Sequence, residues 1–275
     1  MTGSEPSFGR IDTSRPHPAR VYDWFLGGKD NYPVDEALGR QIMGIDNRAK
    51  DVAQANRRFM HRVVRWLTAE AGVRQFLDIG TGIPTEPNLH QIAQGIEPKS
   101  RIVYADNDPI VLTHAEALLR SAPQGVTDYV QADVRDPDRI LEQAAKVLDF
   151  TRPIALSLVA LLHFVGDEDD PHDLVRRLVD ALPPGSHLVV SQLTADFDPL
   201  AVQRGVEMYA AGGVTLAPRA YAEIARLFDG LELVEPGLVQ LGEWRPEMGA
   251  GEGGDADEAV SLYGGVGRKG QPQGL

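Results

Sequence analysis

The spacing of apolar residues changes character near residue 72. Between Asn47 and Ala71, Val52, Phe59, Met60, Val63 and Leu67 recur at three, four and seven, the repeat of one helix face, and Gly72 stands where such a helix would end. An earlier helical pattern begins at Val34. From residue 75 short apolar runs alternate with helical ones. Strands are expected at Gln75 to Ile79, Arg101 to Ala105, Thr127 to Gln131, Ile154 to Leu158 and His187 to Leu193, and helices at Glu86 to Gly95, Pro109 to Ser121, Pro137 to Leu148 and His172 to Leu182. Strands linked by helical crossovers pair in parallel, so this alternation predicts a doubly wound sheet. After helices at Pro199 to Ala211 and Pro218 to Phe228 come two strand-like segments, Leu231 to Leu241 and Ala259 to Val266. They are close enough in sequence to form an antiparallel edge. The expectation is a seven-stranded α/β sheet, mostly parallel with an antiparallel C-terminal edge strand.

Residues 1–14 read as a flexible leader, 15–72 as an N-terminal helical cap and 73–275 as the ligand-binding domain. Within the last, Pro246 to Glu258 holds five acids, four glycines and no base, the composition of a mobile loop. At 275 residues and 43% hydrophobic content the chain can bury a full core for one such domain. No stretch approaches the roughly 18 apolar residues of a membrane span, and Met1 to Pro18 has no apolar signal core, so a cytoplasmic protein with no membrane partner is expected. The chain has no cysteine, which removes disulfides, thiolate nucleophiles and thiolate-held metals. A formal charge of −13 repels a phosphate backbone and argues against a nucleic-acid partner.

Three strand ends carry the candidate chemistry. Phe76-Leu77-Asp78-Ile79-Gly80-Thr81-Gly82-Ile83-Pro84-Thr85 is an apolar strand that breaks into glycines, where backbone can approach a ligand closely and a following helix can aim its free N–H groups. Asp78 is placed to fix that loop or a charged ligand group. Asp106 ends the second strand, 24 residues beyond Gly82, where a carboxylate can accept two hydrogen bonds from a ribose diol. Asn107 and Asp108 are candidates to share that duty, with Pro109 opening the next helix. Asp133 ends the third strand beside Val134, suitably placed for an adenine amino group. The combination points to a cofactor carrying both ribose and adenine. A dinucleotide fingerprint would put a third glycine at position 85, which is Thr85, and that lowers the nicotinamide alternative.

The order of these motifs resembles the Rossmann-like S-adenosylmethionine-dependent methyltransferases. Arg15-Pro16-His17-Pro18-Ala19-Arg20-Val21-Tyr22-Asp23 and Gly27-Gly28-Lys29-Asp30-Asn31, joined to the Phe76 to Thr85 block, resemble more narrowly an actinobacterial S-adenosyl methyltransferase family, formerly a domain of unknown function, over about residues 15–268. The resemblance implies S-adenosyl-L-methionine as cofactor. Gly80 and Gly82 would hold its methionine part, the Asp106 position its ribose and the Asp133 position its adenine, while Leu158 and Val159 would complete the amino-acid pocket. Pro84 departs from the third glycine of the general class and matches the narrower family.

The acceptor side is less explicit. Methyl transfer from a sulfonium asks mainly for alignment, and a general base only when the acceptor must lose a proton. Weak catalytic candidates are His163, Tyr22 and Asp23. His163 reads equally as a buried histidine capping the turn from Leu161 to Val165. Tyr22 to Trp24, with Lys29, Asp30 and Asn31 beyond the glycine pair, read as a lid over the cofactor or as a tight turn between helices. Asn56 and Arg57 read as a solvated helix face in preference to a pocket wall. Met208 and Tyr209 are candidates to shape an acceptor pocket or simply to pack the core. The run Asp167-Glu168-Asp169-Asp170 before His172 reads as a helix N-terminal cluster in preference to a metal site. The function expected is methylation of an O, N or C atom of a small molecule. An NAD(P)-dependent oxidoreductase and a non-catalytic cofactor-binding regulator are the alternatives.

Overall fold

Five parallel strands, β1 (Gln75–Ile79), β2 (Arg101–Asp106), β3 (Val126–Gln131), β4 (Ala155–Val159) and β5 (His187–Leu193), lie in the spatial order β3-β2-β1-β4-β5. This computed structural model describes residues 12–111, 121–249 and 260–271. Most of the expected helix from Pro109 to Ser121, most of the 246–258 loop, Ala259 and residues 1–11 of the leader fall outside the described residues.

The antiparallel edge is present, with one strand more than expected. The segment Leu231 to Leu241 divides into β6 (Leu231–Leu233) and β7 (Val239–Gln240), because Pro236 has no N–H to give a ladder and Gly237, at φ +97°, turns the chain. Both strands pair with β8 (Leu262–Lys269), which runs antiparallel beside β5. The sheet therefore has eight strands, and β6 and β7 form its margin beyond β8.

Alternation along the strands sends successive side chains to opposite faces. Phe76, Ile102, Tyr104 and Val189 meet α3 (Ala49–Ala69) and α4 (Leu89–Ile96) through Phe59, Val63, Leu67 and Ile92. On the other face Leu77, Val103, Leu156 and Val190 meet α5 (Pro137–Ala144), α6 (Pro171–Asp180) and α8 (Tyr221–Arg226) through Ile140, Leu174, Leu178 and Ile224. Each such side chain removed from water contributes about 1.5–3 kcal/mol. The helix expected to close the cap is thus part of the sheet's own layer. α1 (Pro18–Phe25) and α2 (Pro33–Ile45) pack instead with α7 (Pro199–Ala211), where Val21, Phe25, Leu38 and Ile42 meet Tyr209.

A buried charge cluster fastens α1 across the end of β2. Arg20, 3% exposed, lies 3.2 Å from Asp108 Oδ2 and 3.6 Å from Asp35 Oδ2. Asp35, fully buried, accepts from the backbone N–H groups of His17 (2.8 Å) and Tyr32 (2.9 Å). This cluster sets the Pro16 to Tyr22 segment above the strand ends.

Candidate functional site

Strand order reverses between β1 and β4, and open α/β sheets leave a crevice at the carboxyl ends of such a pair. Here the crevice is a cavity of about 390 Å3. Its floor is the loop after β1. Gly80 and Gly82 take φ +74° and +67°, and a Cβ on Gly80 would come within 2.6 Å of Leu161. The loop is stitched to β2: Gly80 N–H donates to Ala105 O at 2.8 Å and Gly82 N–H to Asp106 Oδ2 at 2.8 Å. A Cβ on Gly82 would meet nothing nearer than Ala19 at 3.9 Å, so the backbone there lies open to a ligand.

Of the residues expected at a cofactor site, Asp78, Gly80, Thr81, Gly82, Asp106 and Asn107 line this cavity. So do Asp133, Val134 and Val159. Burial pushes Asp78 up to about 6, with the Ser157 and Thr81 hydroxyls and the Arg57 charge acting the other way. Burial also raises Asp106, against hydrogen bonds from the Asp108 and Gly82 N–H groups. At Asp133 burial is outweighed by the Arg135 backbone N–H, Asn107 and the Arg135 charge, so its carboxyl lies below the usual range. Asn107 donates to it at 2.8 Å.

Other expected residues are engaged elsewhere. Asp108 holds Arg20 and lies 3.2 Å from His17 Nδ1. Leu158 is fully buried in the apolar core. Pro84 and Thr85 lie beyond the cavity wall: Thr85 N–H donates to Asn88 Oδ1 and its carbonyl accepts from Arg57. Prolines 84 and 87 delay the helix to Leu89, so backbone at 80–82, and not a helix N-terminus, faces the crevice.

The turn reading of residues 27–31 also prevails over the lid. Asp23 is buried and accepts from Asp30 N–H (3.0 Å) and Asn31 Nδ2 (2.8 Å), while a Cβ on Gly28 would overlap its carboxylate. Lys29 is exposed, and neither it nor Asn31 lines the cavity. The cover comes from just upstream, at Pro16, His17, Ala19 and Tyr22. Asn56 and Arg57 are not a solvated face either: both line the cavity, and Asn56 is 3% exposed. Arg57 also ties the 85–87 loop, donating to Pro87 O at 2.8 Å. Sequence reasoning missed His17, Arg135, Leu161, Phe164 and the Gly213 to Thr215 turn as wall residues. A Pro-His-Pro run before the α1 pattern was the available signal for His17. None existed for the turn.

A second cavity, of about 160 Å3, adjoins the first across a wall common to both, made of Tyr22, Asn56, Ala160 and Phe164. That wall is tightly bonded. Tyr22 Oη donates to Ala53 O (2.9 Å) and accepts from Asn56 Nδ2 (3.0 Å); Ser191 Oγ donates to Asn56 Oδ1 (2.6 Å) and accepts from Ala160 N–H (2.8 Å). Ala160 follows β4 at φ +54°, a left-handed conformation that costs a non-glycine residue about 1–2 kcal/mol. His163 and Tyr209 line this second cavity, while Met208 packs in the α1–α2–α7 cluster. Burial, reinforced by Arg219, pushes His163 down to about 3, so its imidazole is neutral at neutral pH. The acidic run is spent on structure: Asp167 pairs with Arg219, Asp169 with Arg135, and Asp170 accepts from Asp173 N–H to cap α6. Among the described residues no group of acids and histidines is arranged to hold a metal ion, and no helix is long and apolar enough to cross a membrane.

A sequence profile described as S-adenosyl methyltransferase matches residues 4–270. The crystal structure of a DUF574-family protein from Streptomyces avermitilis is 50% identical, with a TM-score of 0.89 over 94% of this chain and 100% of that one. A Thermobifida fusca structure is 41% identical, with a TM-score of 0.84 over 94% of this chain and 97% of that one. Human N-acetylserotonin methyltransferase, solved with S-adenosylmethionine, shares the fold at 14% identity and a TM-score of 0.51, covering 94% of this chain and 63% of that one. No curated protein matches the chain. The nicotinamide alternative gives way to these matches. The chain belongs to the S-adenosyl methyltransferase family, and it is an S-adenosylmethionine-dependent methyltransferase of Rossmann-like fold.

Proposed function

We propose that the larger cavity holds S-adenosylmethionine and the smaller one a small-molecule acceptor, with methyl transfer where the two cavities meet. The observation that carries this reading is the meeting of the two cavities at Tyr22, Asn56, Ala160 and Phe164. The larger cavity suits such a ligand: an open glycine backbone at Gly82, carboxylates at Asp78, Asp106 and Asp133, and Arg57 in the wall to meet the ligand's own carboxylate. Asp78 would face the ligand's ammonium, Asp106 its ribose diol and Asp133 its adenine. When bound, the cofactor supplies an activated methyl on a sulfonium, so the protein's share is alignment and exclusion of water.

The hydrogen-bonded chain from Tyr22 through Asn56 and Ser191 to Ala160 fixes the wall on four elements, α1, α3 and the ends of β4 and β5. Tyr22, raised by burial, stays a neutral phenol. His163, the imidazole in the wall of the smaller cavity, is pushed down to about 3 by burial and would be a weak base there. This favours an acceptor whose nucleophile is present without help from a general base.

Calorimetric titration with S-adenosylmethionine, S-adenosylhomocysteine and NAD tests the cofactor assignment. Micromolar binding of the first two without NAD is expected; binding of NAD alone would refute it. A screen of O, N and C nucleophiles, read as S-adenosylhomocysteine released, then tests transfer, and tight cofactor binding without turnover on any acceptor would favour the regulator.

A further inference from the structure

The smaller cavity also indicates what kind of molecule enters it. At about 160 Å3 it is near the size of an engineered apolar cavity that stays dry and takes up benzene. Much of its wall is of that kind: Phe25, Ile42, Val202 and Leu262 are at most 8% exposed. Polar residues interrupt it, His163 and Tyr209 among them. His163 is 7% exposed and its buried Nδ1 has no hydrogen-bond partner. Tyr209 is 9% exposed and lines the same cavity. Buried polar atoms are nearly always partnered in folded proteins, so the unpartnered Nδ1 of a residue in the cavity wall calls for a ligand.

The charges at the cavity are already matched or point away from an anion. Arg48 lies 3.0 Å from both Asp46 and Asp198, and the remaining charged wall residue, Asp51, is an exposed carboxylate. An anionic acceptor would therefore be buried beside carboxylates with no free cation to meet it. A neutral imidazole and a phenol, in contrast, can each donate or accept, and together they complete both valences of a hydroxyl.

Resting on the two-cavity methyltransferase reading, we infer that the acceptor is an uncharged molecule of single-ring size carrying a hydroxyl, held through that hydroxyl by His163 Nδ1 and Tyr209 Oη. His163 and Tyr209 do not line the cofactor cavity, so the hydroxyl they hold is a recognition handle. The atom to be methylated is the one presented at the Tyr22–Ala160 wall. A site built around a hydroxyl rejects an analogue that lacks it because its own polar groups are then left unpaired.

The test uses the full chain saturated with S-adenosylhomocysteine and four single-ring probes, phenol, toluene, benzoate and benzylammonium, with affinities from ligand-observed NMR titration. Phenol is expected to exceed toluene by about five- to tenfold, the worth of one net hydrogen bond, with benzoate and benzylammonium weaker than both. In His163→Leu and Tyr209→Phe the phenol preference should shrink to about twofold while toluene still binds, which also shows that the variants fold. Stronger benzylammonium binding would overturn the inference by moving recognition to Asp46 and Asp51. So would a phenol preference unchanged in both variants, or no binding of any ring while S-adenosylhomocysteine binds. If S-adenosylhomocysteine itself fails to bind, the two-cavity reading falls, and the same comparison in the ligand-free protein still decides whether the cavity selects a neutral hydroxylated ring.

Discussion

On the proposed placement of the cofactor, Asp78 makes its binding dependent on pH, and the size of the effect follows from its surroundings. A carboxyl pushed up to about 6 is about nine-tenths protonated at pH 5 and about one-tenth at pH 7. If the ionised form is the one that receives the ligand's ammonium, affinity for S-adenosylhomocysteine falls about tenfold, or about 1.4 kcal/mol, from pH 7 to pH 5. Asp106, raised as well, acts in the same direction. In the free protein the sign reverses. The folded pKa of Asp78 lies above its unfolded value of about 3.9, so the folded state binds more protons in that window and stability is lost as pH rises from about 4 to 6. A bound cation then recovers what ionisation cost. The assay is calorimetry at pH 5, 6 and 7 in buffers of different ionisation enthalpy, which counts protons released on binding. Asp78→Asn should flatten the profile and weaken binding at pH 7 by about 1.5–3 kcal/mol, the worth of a charged hydrogen bond. Affinity constant from pH 5 to 7, or an undiminished slope in the asparagine variant, would refute the reasoning.

Four further outcomes are expected. Asp106→Ala should weaken S-adenosylhomocysteine binding by about 1–3 kcal/mol in the same titration, and unchanged affinity would remove Asp106 from the site. Arg20→Ala strips a buried carboxylate cluster of its cation and should lower the free energy of unfolding in urea by about 3–5 kcal/mol, whereas Arg20→Met with Asp108→Leu together should cost much less. For His163 and His187, which burial first and an arginine charge second push down to about 3 and about 4, the unfolded state binds the extra protons, so stability is complete above about pH 6.5 and is lost as pH falls toward those values, at up to about 1.4 kcal/mol per pH unit for each; His163→Leu should reduce the slope of the urea midpoint against pH. In a double-mutant cycle, Asn56→Ala and Ser191→Ala should couple by about 0.5–3 kcal/mol in stability, and simple additivity would deny the bonded wall.

The sheet was legible because its strands are short apolar runs separated by helical periods, and β5 and α7 fall where the pattern puts them. Asp78, Gly80, Gly82, Asp106 and Asp133 were legible for a related reason: a strand end is a fixed point in such a fold, and polar or glycine residues there stand out against the run before them. What could not be read was long-range. Asn56 and Arg57 look like any polar pair on a helix until the phase of α3 against the sheet is known. Asp108 sits beside Asp106 in sequence, yet its partner is Arg20, some ninety residues earlier. The break of the Leu231 to Leu241 segment had a local signal in Pro236-Gly237, two residues that end a strand from opposite causes, one lacking a donor and the other free to turn.

The position of β8 has a consequence for how the chain acquires its structure. Among the described residues β6 and β7 have no strand neighbour other than β8, and β5 has β8 as its outer neighbour. Residues 187–193, 231–233 and 239–240 therefore wait, as the chain is made from its N-terminus, for residues 262–269. Until then β5 is an open edge of seven residues, burying Val189 and Val190 on only one side, and such an edge is a template for pairing with another chain. Ending the chain at Val260 should thus do more than delete one strand: it unpairs β6 and β7, leaves β5 paired on one edge alone, and yields aggregate in place of a shorter folded protein.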